Sequence, residues 1–199
     1  MRRRRAVPRS ARGKPEQTRD RLVAAAAATF ERDGYQGTDS NRIAAAAGYA
    51  TGTFYKHFAD KRDVLLAAYA RWLADEWAAV EAELAHAASK DERARRIVEL
   101  VARMHRRGRA VRAAVLALVP TDATVRRFYR ARRRTQLDAL AGLRARGKAV
   151  PAPRERDALL LFTLERSADA LANLEHRALG LDRDRIVDEL AREVAEALA

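Results

Sequence analysis

The chain has 199 residues, enough for one compact domain or a small domain fused to a larger one. Hydrophobic residues make up 48%, ample for a core, yet no window approaches the roughly 18 uninterrupted apolar residues of a membrane-spanning helix, so no membrane partner is expected. The net charge is +13, from 40 basic and 27 acidic side chains, and there is no cysteine, which excludes disulfides and cysteine-ligated metals and fits a reducing cytoplasm.

The Arg-rich start lacks the apolar segment of a secretory signal. Only 9 Gly and 5 Pro occur, Ala and Leu recur at helical spacing, and no period-2 alternation is seen, so the expected class is all-α. The basic residues are nearly all Arg. A GC-rich genome would produce the same bias, so the charge bears on a nucleic-acid partner only through where it sits. Residues 1–62 hold 14 basic and 6 acidic side chains, a denser excess than in the remainder, as a footprint on phosphates requires.

Residues 1–15, MRRRRAVPRSARGKP, have little to bury and read as a disordered basic arm. Two readings stay open for it: an arm touching phosphates or a minor groove, and a solvated tail. A first helix is predicted over 16–32, with Leu22, Val23, Ala26, Ala27 and Phe30 inward. Thr38 or Asp39 is placed to cap the next helix, from about Ser40 to Ala47, which Gly48 ends because glycine takes the left-handed conformation without a Cβ penalty. A short helix from about Thr51 to Phe58 follows. Its Phe54 and Phe58 can face inward together, leaving Thr51, Thr53, Tyr55, Lys56 and His57 largely outward. Two short helices around a glycine turn make a helix-turn-helix, and that outward set is rich in donors, as a helix in a major groove needs.

Asp60 is a good cap for a long helix over about 61–87, running through Val64, Leu65, Ala68, Trp72, Leu73, Glu76, Trp77 and Val80. Lys61 lies in its first turn, where a cation opposes the helix dipole; a nearby phosphate would supply a reason for it. Further helices are predicted over about 90–106, 109–119, 122–146, 153–179 and 183–198, giving nine in all. The segment 90–148 holds 18 basic and 5 acidic residues. An anionic ligand, phosphates of DNA or membrane, and a solvated face opposite acidic helices all suit it, the last being the simplest.

The stretch Thr18 to Tyr69, and above all GYATGTFYKHFADKRDVL within it, resembles the DNA-binding domain of TetR-family transcriptional regulators. Tyr49, where a small aliphatic residue is usual, departs slightly from the pattern. The resemblance implies a nine-helix, all-α plan: a helix-turn-helix head (16–60) and a helical effector-binding and dimerisation body (61–199). It implies a homodimeric repressor on palindromic double-stranded DNA, paired through the helices over about 153–179 and 183–198, and released by a small molecule that could be lipophilic, aromatic or anionic. In this reading Thr51, Thr53 and Lys56 contact base edges, and Gly52 lets the backbone approach. Tyr55, His57 and Lys61 hold phosphates, as can Thr38. Ser40, Asn41 and Arg42 reach phosphate or a flanking base, and Ala50, Thr51 and Lys56 set the operator. Trp72, Trp77, Met104, His105, Phe128, Phe162 and Asn173 are candidate pocket residues, though plain core or surface is the simpler reading of each.

No cofactor is expected. None of His57, His86, His105 and His176 pairs with another at metal-ligand spacing, and no phosphate loop, nucleophile elbow or cysteine nucleophile is present, so an enzyme is not expected. The nearest rival is a non-specific architectural DNA binder, and an all-α enzyme with an unrecognised site is the remoter one.

Overall fold

The structure is a computed structural model and describes residues 13–86, 89–147 and 153–197. The expected arm over 1–15 lies outside the described residues except for its last three. Among the described residues there are ten helices and no strand. They are α1 (Lys14–Asp33), α2 (Ser40–Ala46), α3 (Thr51–Tyr55), α4 (Lys61–Leu84), α5 (Lys90–Arg107), α6 (Arg109–Leu118), α7 (Ala123–Gly147), α8 (Arg154–Ala172), α9 (Glu175–Ala178) and α10 (Arg183–Ala197). No described helix is long and apolar enough to cross a membrane.

Capping explains most of the boundaries. Asp39, Asp60, Ser89 and Asp182 each accept a hydrogen bond from a backbone N–H in the first turn of the helix they open. Three of the differences from expectation have a local cause. α1 starts at Lys14, because Pro15 in its first turn has no N–H to leave unpaired. α3 stops at Tyr55, where the His57 N–H turns back to the Phe54 carbonyl at 2.9 Å and tightens the last turn. The single helix expected over 153–179 is two, α8 and α9. Leu174 between them sits at φ 61°, a left-handed conformation that interrupts the α-helical hydrogen-bond ladder.

Two apolar clusters hold the molecule together. The first joins α1, α2 and α3 to the N-terminal half of α4 and continues into α6 and α7, through residues such as Phe30, Ile43, Phe54, Tyr69, Val115 and Val125. The second lies between α5, α8 and α10, where Ile97, Val98, Leu171, Val187 and Val194 interlock. Polar ties add to this: Glu31 of the head accepts from the Ala110 N–H at 2.8 Å, and Arg62 at the start of α4 pairs with Asp122 at 2.9 Å. The first three helices therefore share their core with the body and do not form a detached module.

α5 and α6 meet against α4 at Gly108. The Trp72 indole donates to the Met104 carbonyl at 3.1 Å, and a Cβ at Gly108 would fall 2.5 Å from the indole Nε1. The Gly108 backbone itself suits any residue, at φ −100°, so only the close approach requires glycine. Replacing Gly108 by Ala is expected to cost about 1–3 kcal/mol by overpacking. At roughly 2–4 °C per kcal/mol for a chain of this size, thermal unfolding should show a clear drop, with a shift in tryptophan emission.

Candidate functional site

The head is built around a turn that hydrogen bonds hold closed at both steps. Gly48, at φ 77°, donates to the Ala45 carbonyl at 3.0 Å, and Tyr49 donates to Ala44 at 2.9 Å. This is a Schellman termination of α2, and it aims the chain directly into α3. Phe54 and Phe58 are fully buried, with ring centroids 5.6 Å apart, so their packing fixes which side of α3 turns outward. On the outward side Ala50, Gly52, Tyr55 and Lys56 are exposed, while Thr51, Thr53 and His57 are half-buried. Tyr55 is 56% exposed, its ring meeting Phe54 edge-on at 5.4 Å.

The polar residues of α2 are tied into this frame. Thr51 donates to Asn41 Oδ1 at 3.0 Å, locking α3 to α2. Arg42 donates to the Gly37 carbonyl and lies 3.8 Å from Asp33. Ser40 opens α2 and is half-buried. Thr38 is buried, its hydroxyl donating to the Gly34 carbonyl at 2.8 Å, and Asp39 is the cap. Lys61 has a partner within the head: its ammonium donates to the Tyr35 carbonyl at 2.8 Å and lies 4.2 Å from the Tyr35 ring centroid. That contact accounts for a cation in the first turn of α4 without any phosphate.

The body contains a narrow apolar slot of about 60 Å³, walled by α4, α5, α7, α8 and α10. Trp77, Val80, Leu140, Leu161 and Leu164 line it, with Glu76, Gln136 and Glu165 at its inner end. At the other end Leu84 and Leu143 also belong to a wider pocket of about 600 Å³, edged by Lys90, Arg93, Arg144 and Arg146. Arg144 pairs with buried Asp157 at 2.9 Å and Arg146 with Glu81 at 3.1 Å, so the basic mouth is partly neutralised.

The inner end opens onto a buried charge cluster. Arg112 donates to Glu165 at 3.1 Å and to both Asp169 oxygens at 2.8 and 3.0 Å. Glu165 also accepts from Gln136 at 3.2 Å and from Arg133. His105, fully buried, holds Asp169 through Nδ1 at 2.8 Å, while its Nε2 faces Glu76 at 3.5 Å. Burial pushes the Asp169 carboxyl up, but its hydrogen bonds from His105 and Arg112 outweigh this and keep it below the ordinary range. Glu76 has no such donors. Burial, with Glu165 nearby, raises it from 4.5 to about 8, so at neutral pH it is mostly a neutral acid. Glu76 Oε2 and Arg112 Nη1 are buried without a hydrogen-bond partner among the described residues.

Residues 22–68 match the model of the family described as bacterial regulatory proteins, tetR family. The head is a TetR-family domain. No curated protein sequence matches the chain. Solved structures share the fold along nearly the whole length. The fatty acid degradation regulator FadR of Bacillus halodurans is 18% identical with a TM-score of 0.62, over 95% of this chain and 96% of that one. FadR of Bacillus subtilis, in complex with stearoyl-CoA, is 17% identical at 0.63, over 90% and 96%. The TetR-family repressor FadR of Thermus thermophilus, in complex with lauroyl-CoA, is 24% identical at 0.61, over 91% and 95%.

The TetR-family head thus brings the twelve residues expected at DNA into one region, though Thr38 lies beneath it. The seven expected pocket residues are scattered. Trp77 lines the slot; Trp72 and Met104 meet at the Gly108 junction, and His105 belongs to the charge cluster. Phe128 packs beside Tyr69 in the first core. Phe162 is 53% exposed on α8, and Asn173 is exposed at the C-terminal end of α8. Sequence reasoning did not single out Gln136, Glu165, Arg112 or Asp169. Glu76 carried a signal, since it is an acid inside the apolar run of α4. Combining Tyr55→Phe with Lys61→Ala should weaken binding to promoter DNA at moderate salt and flatten the salt dependence. Titrations at several salt concentrations check this; unchanged affinity and slope would remove both residues from the interface.

Proposed function

We propose that the chain is a sequence-specific transcriptional regulator, a homodimeric repressor released from a palindromic operator by an anionic amphiphile of the acyl-CoA type. Residues 16–60 read the DNA and residues 61–199 hold effector and partner. Thr51, Thr53 and Lys56 face base edges, with Ala50 and Gly52 close to the groove. Tyr55, His57 and Lys61 hold phosphates, Lys61 exchanging the Tyr35 carbonyl for one, and Ser40, Asn41 and Arg42 reach the flank. Thr38, with its hydroxyl already committed, supports the backbone beneath them.

The observation that carries this reading is the outward polar row of α3 on a head that shares its core with α4, the helix that also walls the slot. The basic mouth and apolar slot suit an anionic head with an apolar tail, the chemistry that the FadR structures hold in their bound acyl-CoA. At about 60 Å³ the slot is too small for such a tail as it stands, so filling it must separate α4 from α7 and α8. The dimer uses the region of α8 to α10. Leu159 and Phe162 stand exposed on α8, whereas the apolar stripe of α10 is spent inside the chain against α5. A dimer sets two recognition helices about 34 Å apart, one turn of duplex.

Fluorescence anisotropy with a labelled palindrome from beside the protein's own gene tests the reading. A preference of about a thousandfold over a scrambled duplex is expected. Long-chain acyl-CoA should weaken operator binding by roughly 5–150-fold, and free coenzyme A should not. Equal affinity for both duplexes would contradict the regulator, and indifference to acyl-CoA would contradict the effector.

A further inference from the structure

The slot has a direction, and four helices agree on it. Along α4 the wall runs from Glu76 to Leu84, eight residues or about 12 Å. α7 runs the same way, from Gln136 to Leu143, and α8 runs opposite, from Glu165 back to the Leu160 and Asp157 end. α5 places Val101 and His105 toward the acidic end and Arg93 and Lys90 at the mouth. A tail entering from the basic mouth therefore finishes against carboxyl and amide groups, where a plain alkyl tail would call for an apolar floor. Glu76 is 6% exposed, lines the slot, and its Oε2 makes no hydrogen bond, with His105 Nε2 standing 3.5 Å away. Gln136, 4% exposed, has its amide N–H committed to Glu165.

We infer that the inner end of the slot is a hydrogen-bonding subsite, with Glu76 as its reading residue, for an uncharged polar group such as a hydroxyl or keto oxygen on the effector's tail about 12 Å from the mouth. The inference rests on the amphiphile reading above and narrows it from acyl chains in general to chains oxygenated near the far end. Charge matching favours a neutral group. Glu165 and Asp169 are already balanced by Arg112 and Arg133, so a ligand ammonium would face two guanidiniums and a ligand carboxylate two carboxylates. A neutral Glu76 carboxyl donates to a carbonyl or hydroxyl oxygen and accepts from a hydroxyl. A methyl end would instead leave its buried Oε2 with no more than the 3.5 Å approach of His105 Nε2.

Binding of two probe series to the full chain tests this, followed by quenching of tryptophan emission, since Trp77 lines the slot. The first series is straight-chain acyl-CoA from octanoyl to tetradecanoyl, each beside its ω-hydroxy counterpart. The second is the matching alkanols beside the α,ω-diols, which lack the anionic head. At one chain length or more the hydroxylated member should bind about tenfold tighter. Glu76→Gln should keep that preference, and Glu76→Leu should erase or reverse it while binding the plain chains at least as well. Equal binding of both members at every length, or a preference that survives Glu76→Leu, overturns the subsite. If the acyl-CoA series fails and the diols still outbind the alkanols, the anionic head is wrong and the subsite stands. If neither series binds, both readings fall. Thermal melts establish that each variant is folded.

Discussion

Helix α4 is shared between two structures that cannot rearrange independently of it. Its first three turns carry Val64, Leu65, Ala68 and Tyr69 into the core of the head, and its later turns carry Glu76, Trp77, Val80 and Leu84 into the wall of the slot. Interiors are close-packed, so a wall that must open for a ligand moves as a discrete unit. The Gly108–Trp72 contact, the Glu31 tie to the start of α6 and the Arg62–Asp122 pair all fasten that helix or its immediate neighbours. A displacement of α4 therefore reaches α1 and, through the shared core, α3.

The charge cluster beside the slot is costly as a source of stability. Taking Arg112, Glu165 and Asp169 out of water carries a desolvation penalty that ion pairs of this kind often fail to exceed, and apolar residues of similar volume would commonly do as well. The cluster joins α5, α6, α7 and α8 around the inner end of the slot, and Glu76 on α4 faces it across 3.5 Å through His105. Its geometry suits recognition better than cohesion. The groups are held by one another, and Glu165 of the cluster lines the slot together with Glu76.

The head was legible in the sequence because its determinants are local. Gly48 ending α2, Asp60 opening α4, and Phe54 with Phe58 turning one side of α3 inward all act within a few residues of where they stand. The position of Lys61 against the helix dipole marks it in the sequence, but its partner is the Tyr35 carbonyl, 26 residues away. The body was legible only as a set of helices. The slot draws Glu76, Val101, Gln136 and Glu165 from four helices far apart in the chain, and periodicity says which face is apolar without saying which faces meet. For that reason the aromatic residues expected in a pocket landed in four different places. Phe162 went outward and Phe128 joined the first core. The break at Leu174 had no glycine or proline to announce it, since a leucine at positive φ is a tertiary outcome rather than a local preference.

The central claim, that filling the body moves the head, has a direct measurement because the chain contains no cysteine. Ala28 is exposed on α1, outside the residues assigned to DNA, so Ala28→Cys accepts a spin label without disturbing the fold or the DNA-facing surface. Pulsed electron–electron resonance on the labelled dimer should give a narrow distance distribution with operator DNA bound. With acyl-CoA and no DNA, the distribution should shift by several ångströms to a second discrete position. One unchanged distribution under both conditions, with ligand binding verified by tryptophan quenching in the same sample, would contradict the account.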